Sequence, residues 1–161
     1  MVRAILLDSS VVVKWFKEGE DYEEEALRLR HDVLSPTSSI SASELMPLEV
    51  CRALIKVGYS SKKVEETYST LAEMVETGFL KLIPTAGLMD EAKESIVKLN
   101  LYVADALSLA AAVANSSDLL TEDRHLLKKE VKETMERKGL KLLRLKDAYP
   151  KGPRQVGKSH P

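Results

Sequence analysis

Short apolar runs alternate with longer stretches of helical periodicity along nearly the whole chain. Ala4-Ile5-Leu6-Leu7 is a continuous apolar run stopped by Asp8-Ser9-Ser10, the pattern of a buried strand followed by a helix cap. Ser9 or Ser10 is the expected cap of a helix over 11–17, with Trp15 and Phe16 as core residues. After Glu18-Gly19-Glu20, residues 21–31 have an amphipathic pattern: Ala26, Leu27 and Leu29 face inward, and Glu23-Glu24-Glu25 form a solvated face. Val33-Leu34-Ser35-Pro36 suggests a brief strand closed by proline. Ser41-Ala42-Ser43-Glu44 has capping-box spacing, so a helix is expected from there to Val57, with Pro47 bending it or moving its start later. Ser60-Ser61 caps a further helix to about Thr77, and Phe79-Leu80-Lys81-Leu82-Ile83 is a strand closed by Pro84. Residues 85–99 form the next helix.

The stretch 102–125 departs from this amphipathic pattern. It places Asp105 in the opening turn of a helix over 104–114 that is apolar on almost every side, and such a helix is a buried one. The chain then turns at Asn115-Ser116-Ser117, and a short apolar strand, Leu119-Leu120-Thr121, delivers Asp123 at its carboxyl end. A helix over 125–138 stopped by Gly139 and an edge strand over 140–145, where lysine and arginine alternate with leucine, complete the pattern. Strands alternating with helices indicate an α/β fold, a single domain with a mainly parallel central sheet flanked by helices. In such sheets ligands bind in the crevice beyond the carboxyl ends of the strands.

Length and composition fit one domain. A chain of 161 residues with 44% hydrophobic and 30% charged residues supports one core, expected over 1–149. Residues 150–161, rich in Pro, Gly and basic residues, are expected to be a disordered tail. No apolar run approaches the roughly 20 residues of a membrane span, and no cleavage pattern follows the first strand, so a cytoplasmic protein is expected. The lone Cys51 excludes an internal disulfide and a CxxC zinc site. Charge is unevenly distributed: residues 1–123 hold 12 Lys/Arg against 21 Asp/Glu, and residues 124–161 hold 12 against 4. An acidic body with a basic carboxyl-terminal segment suits a metal-binding core that presents cations to a polyanion. The alternative for Lys128, Lys129, Lys132, Arg137 and Lys138 is the solvated face of one helix.

Four acids from separated parts of the chain are candidates for one cleft. Asp8 and Asp123 follow short buried strands, and Asp105 and Glu49 project from helices that pack beside the sheet. Glu44 competes with Glu49 for the helix acid, but its capping-box position already gives it a structural role. Each acid also has a plain structural reading: Asp105 and Asp123 as helix-terminal carboxylates, Glu49 as a stripe-edge acid paired with Arg52 or Lys56. Four clustered carboxylates would repel one another and retain protons, a conflict that Mg²⁺ or Mn²⁺ resolves. Phosphodiester hydrolysis is the chemistry such a site favours. His31, His125 and His160 have no triad-like setting, and neither has any Ser or Cys.

ILLDSSVVVKW, PLEVCRAL, YVADALSLAAA and DLLTEDRHL resemble, in order, the successive motifs of the PIN-domain ribonucleases, especially the VapC-like toxins of toxin–antitoxin pairs. The likeness runs from about Ile5 to His125. It implies that Asp8, Glu49, Asp105 and Asp123 are the acidic metal-binding residues, with Ser10 assisting the first Asp and Thr121 leading into the last. It also implies metal-dependent cleavage of RNA, an antitoxin protein as partner, and a homodimer. Arg52 stands where many relatives carry Asn, and the segment from Lys128 to Gly139 is longer than the usual connection. Two other readings remain at this level. One is a PIN-like scaffold for protein or RNA without catalysis. The other is a phosphatase with Asp8 as nucleophile, disfavoured because Ser10 stands where that chemistry places a second Asp.

Overall fold

The computed structural model describes residues 4–151. Strand β1 (Ala4–Leu7) passes through Asp8 into a short helix α1 (Ser9–Val12) and a 3-10 turn over Val13–Trp15. Helix α2 (Glu23–Val33) leads to strand β2 (Ser39–Ser43), then α3 (Met46–Lys56) and α4 (Ser61–Glu76). Strand β3 (Lys81–Ile83) precedes α5 (Met89–Leu99) and α6 (Val103–Ala114), followed by β4 (Asp118–Leu120) and α7 (Lys129–Arg137). Strand β5 (Leu142–Leu143) and a short helix α8 (Leu145–Ala148) end the described chain.

All strand pairs are parallel, in the order β3-β2-β1-β4-β5. The expected α/β architecture with a parallel sheet is therefore the one observed. Ile5 pairs with Ile40 on one side and with Asp118 on the other, which puts β1 at the centre. The chain builds outward from β1 to β3 and then crosses back to add β4 and β5, so strand order reverses between β1 and β4. That switch point is where a doubly wound sheet opens its ligand crevice.

Both faces of the sheet are covered, which explains why β1 is a continuous apolar run. Alternation along the strands sends Leu7 and Leu120 to one side, against Val11, Trp15, Leu29, Val50 and Leu71, and Leu6 and Leu119 to the other. On that second side they meet Leu107, Leu109, Ala110 and Ala111 of α6, beneath Leu126, Val131 and Met135. Helix α6 packs on β1, β2 and β4 and is itself covered by α5. Its run of alanines lets the backbone approach the sheet closely. Among the described residues no single helix is long and apolar enough to cross a membrane.

Several expected boundaries move. Residues 33–35 are not a strand: Val33 ends α2, buried against the core. The strand is Ser39–Ser43, and Ser41, Ala42 and Ser43 are buried between two neighbouring strands. The capping box expected at Ser41–Glu44 is accordingly absent. Glu44 instead crosses to Thr85, accepting from its backbone N–H at 2.8 Å and its hydroxyl at 2.6 Å. Pro47 lies in the first turn of α3, where its missing N–H has no partner to lose, so it leaves the helix unbent. Asp8, not Ser9 or Ser10, caps α1. Residues 125–128 are turn, and α7 starts at Lys129. The 140–145 edge strand shrinks to two residues before α8 begins. Of the expected tail over 150–161, residues 152–161 lie outside the described residues.

Candidate metal centre

Asp8 sits at the switch point, its backbone N–H donating to Leu120 O at 3.0 Å, and it is 2% exposed. Its Oδ2 accepts from the Ser10 hydroxyl, from Ser10 N–H at 3.3 Å and from the Thr121 hydroxyl at 3.0 Å. Those hydroxyls also accept backbone bonds from the loop after β4: Glu122 N–H reaches Ser10 Oγ, and Asp123 N–H reaches Thr121 Oγ1, each at 3.0 Å. Ser10 and Thr121 thus fasten the two strand ends together and hold one carboxylate oxygen of Asp8. Among the described residues nothing donates a hydrogen bond to its other oxygen.

Asp123 follows in the same loop, with Oδ1 accepting from His125 N–H at 2.7 Å. Asp105 lies in the first turn of α6 and is 7% exposed, and no group of the described residues donates a hydrogen bond to it. Glu49, in the first turn of α3, accepts from Ser9 Oγ at 3.1 Å. It makes no ion pair with Arg52 or Lys56 among the described residues, so the stripe-edge pairing is not the one observed.

Electrostatics tie the four acids together. Burial, then the charge of Asp8, and more weakly those of Asp105 and Asp123, push Glu49 up to about 7 against the Ser9 bond. Burial, then the charges of Asp123 and Asp8, push Asp105 up to about 7, with Lys128 opposing. Burial raises Asp8 as well, and the charge of Asp123 adds to it, although the Ser10 and Thr121 bonds pull the other way. Burial first, and the neighbouring charges second, let Glu49 and Asp105 keep protons near neutrality, a perturbation that clusters at functional sites.

The PIN domain family model matches residues 5–132, which takes in β1 through β4 and the start of α7. The chain belongs to the PIN domain family. Solved PIN-fold structures align over most of its length. VapC20 of Mycobacterium tuberculosis, described as a sarcin-ricin loop cleaving toxin, superposes with a TM-score of 0.60 at 18% identity, covering 75% of this chain and 91% of that one. A toxin–antitoxin complex from Klebsiella pneumoniae gives 0.57 at 17% identity over 78% and 92%. FitAcB of Neisseria gonorrhoeae gives 0.55 at 16% identity over 88% and 97%. At these identities the likeness is one of fold. No curated protein matches the chain closely enough to add to it.

In this PIN domain the acid cluster suits a hard divalent ion by the chemistry of its donors, which are all carboxylate oxygens. Among the described residues no three Asp, Glu, His or Cys side chains already stand close enough to enclose an ion. That is compatible with Mg²⁺, which keeps several waters and takes one or two carboxylates rather than a full protein cage. The cleft of about 430 Å³ between α5 and α7, lined by Glu91, Glu94, Lys98, Glu130 and Arg137 among others, includes none of the four acids.

Three supporting groups were not visible beforehand. Ser9 was expected only as a cap. Glu122 accepts Arg144 Nε at 3.0 Å and Nη2 at 2.7 Å, and its second oxygen takes Leu145 N–H at 2.7 Å, so it anchors the Asp123 loop to α8. Lys128, expected on a solvated helix face, instead points its amine toward the end of α5, 3.4 Å from the carbonyl oxygens of Leu99 and Asn100.

Proposed function

We propose that this PIN domain is a Mg²⁺- or Mn²⁺-dependent endoribonuclease and the toxin of a toxin–antitoxin pair. The observation that carries the reading is the convergence of Asp8, Glu49, Asp105 and Asp123 at the switch point of the sheet, with two of them held near pH 7 by burial and one another's charge. Asp8 and Asp105 would hold the ion, with Asp123 and Glu49 completing the site directly or through water. A divalent ion held there would make a bound water easier to deprotonate and would offset the charge on the attacking and departing oxygens of a phosphodiester. Ser10 and Thr121 keep Asp8 oriented. Glu49, steadied by Ser9, is the group that takes up the proton of the attacking water. Lys and Arg of residues 124–161 hold the RNA backbone.

The antitoxin reading draws on neighbours described as toxin–antitoxin complexes. An antitoxin arginine entering the carboxylate cluster would satisfy it much as an ion does. By family likeness the chain pairs with itself as well.

The test is cleavage of a mixed RNA panel in Mg²⁺, Mn²⁺ or EDTA, beside the Asp8→Asn protein. Cleavage that needs metal and disappears in Asp8→Asn is expected. A folded, inhibitor-free protein that cuts no RNA under any metal would replace this reading with a non-catalytic PIN scaffold.

A further inference from the structure

Tyr102 occupies the cap position of α6, one turn before Asp105, yet its side chain makes no capping bond. It is not a core residue either, being 69% exposed. Its ring meets His125 edge to face, with centroids 5.2 Å apart and planes at 89°. His125 is itself bound through its backbone to Asp123. The aromatic pair therefore spans the rim of the acid cluster, from the start of the Asp105 helix to the Asp123 turn. The Lys128 amine lies 3.4 Å from the carbonyl oxygens of Leu99 and Asn100, just before Tyr102 in the chain; its charge is felt by Asp105, and it forms no ion pair among the described residues.

We propose that Tyr102, braced by His125, is a stacking seat for one nucleobase of a single-stranded RNA, and that Lys128 meets a phosphate next to it. The proposal rests on the ribonuclease reading and adds where the substrate is gripped. With 69% of the residue exposed and one T-shaped neighbour, the Tyr102 ring leaves surface free to solvent, and base stacking on such rings is the usual way proteins hold unpaired nucleotides. A cation beside the ring complements the backbone of the same nucleotide. Four acids alone would repel RNA, so a grip at their border supplies binding that the cluster lacks. Neither capping nor packing accounts for a tyrosine at this position.

The experiment uses the full chain carrying Asp8→Asn, in Mg²⁺, with fluorescent single-stranded oligoribonucleotides read by anisotropy. Adding Tyr102→Ala is expected to weaken binding about tenfold, with Tyr102→Phe and Tyr102→Trp restoring it. Walking a single abasic residue along the oligonucleotide should reveal one position that costs the Tyr102 protein about tenfold and the Tyr102→Ala protein nothing. Lys128→Gln should weaken all oligonucleotides alike and reduce the salt slope by about 0.7. Equal affinity of the Tyr102 and Tyr102→Ala proteins, or an abasic penalty that persists without the ring, overturns the seat while leaving the ribonuclease reading intact. A Tyr102→Ala protein that binds RNA normally but loses self-association by light scattering overturns it in favour of a contact between copies. Failure of the parent protein to bind any RNA overturns the seat, and the ribonuclease reading is then decided by the cleavage panel alone.

Discussion

Withdrawing metal from the acid cluster should make the protein's stability fall with rising pH across the neutral range. Glu49 and Asp105 each stand near 7 in the folded chain, against ordinary values of 4.5 and 3.8. Between about pH 4 and 7 the folded state therefore keeps protons that the unfolded state has released. Unfolding then liberates protons, and stability declines as pH rises until both groups are ionised, just above 7. Taken singly, at about 1.4 kcal/mol per pH unit, the two displacements correspond to roughly 3 and 4 kcal/mol. They cannot be added, because both include the charges of Asp8 and Asp123, Glu49 also feels Asp105, and the cleft is screened by solvent. A combined loss of about 3 kcal/mol between pH 5 and pH 8 is the expected scale. Glu20, whose carboxyl is pulled down by Lys17 and Lys14, gives its contribution below this window and does not mask the effect. The assay is urea unfolding in EDTA at intervals from pH 5 to 8.5. Asp8→Asn removes a charge that bears on both acids, so it should reduce the fall by about 1 kcal/mol. Saturating Mg²⁺ should restore stability at pH 8 and do little at pH 5, because ion and protons compete for the same oxygens. Stability in EDTA that is flat or rising from pH 5 to 8 would refute the repulsive cluster.

Two further substitutions separate structural acids from site acids. Glu49→Gln should reduce metal-dependent cleavage by at least a hundredfold, whereas Glu44→Gln, which alters only the bond to Thr85, should leave cleavage intact and lower the melting temperature slightly. Parallel initial rates and thermal melts check both. Arg144→Ala strands the Glu122 carboxylate, whose side chain is 8% exposed, and should cost about 2 kcal/mol in urea unfolding, with Glu122→Gln in the same chain recovering part of it.

The parts of the fold that follow one strong pattern were legible from the chain. Helix α6 is apolar all round because it is buried between the sheet and α5, and β1 is a solid apolar run because both faces of the sheet are covered there. Strand β2 was not legible. SISAS offers two apolar residues among serines, and the crowding between β1 and β3 that selects such small side chains is a tertiary fact. The same serines happen to carry capping-box spacing, which misplaced the start of α3. Val33 and Leu34 look like strand residues locally, but Val33 is drawn into α2 by the core beneath it. Asp8, Asp105 and Asp123 stand out as candidates because carboxylates next to buried runs need a reason, and Glu49 because it leans toward an apolar face; the structure sets their charges on one another. Glu122 was overlooked beside Asp123 because its partner, Arg144, lies 22 residues away and its β5 neighbours resembled an ordinary edge strand. Nothing local in the sequence shows that His125 comes to meet Tyr102.

That Asp8, Glu49, Asp105 and Asp123 form one divalent-ion site is tested most directly by calorimetric titration of the chain with Mn²⁺ at pH 7, in two buffers of different ionisation heat. Binding that releases about one proton, and that is lost in Asp8→Asn and Asp105→Asn but kept in Glu44→Gln, is the expected result. Absence of binding, or binding that releases no proton and persists in Asp8→Asn, would contradict the site.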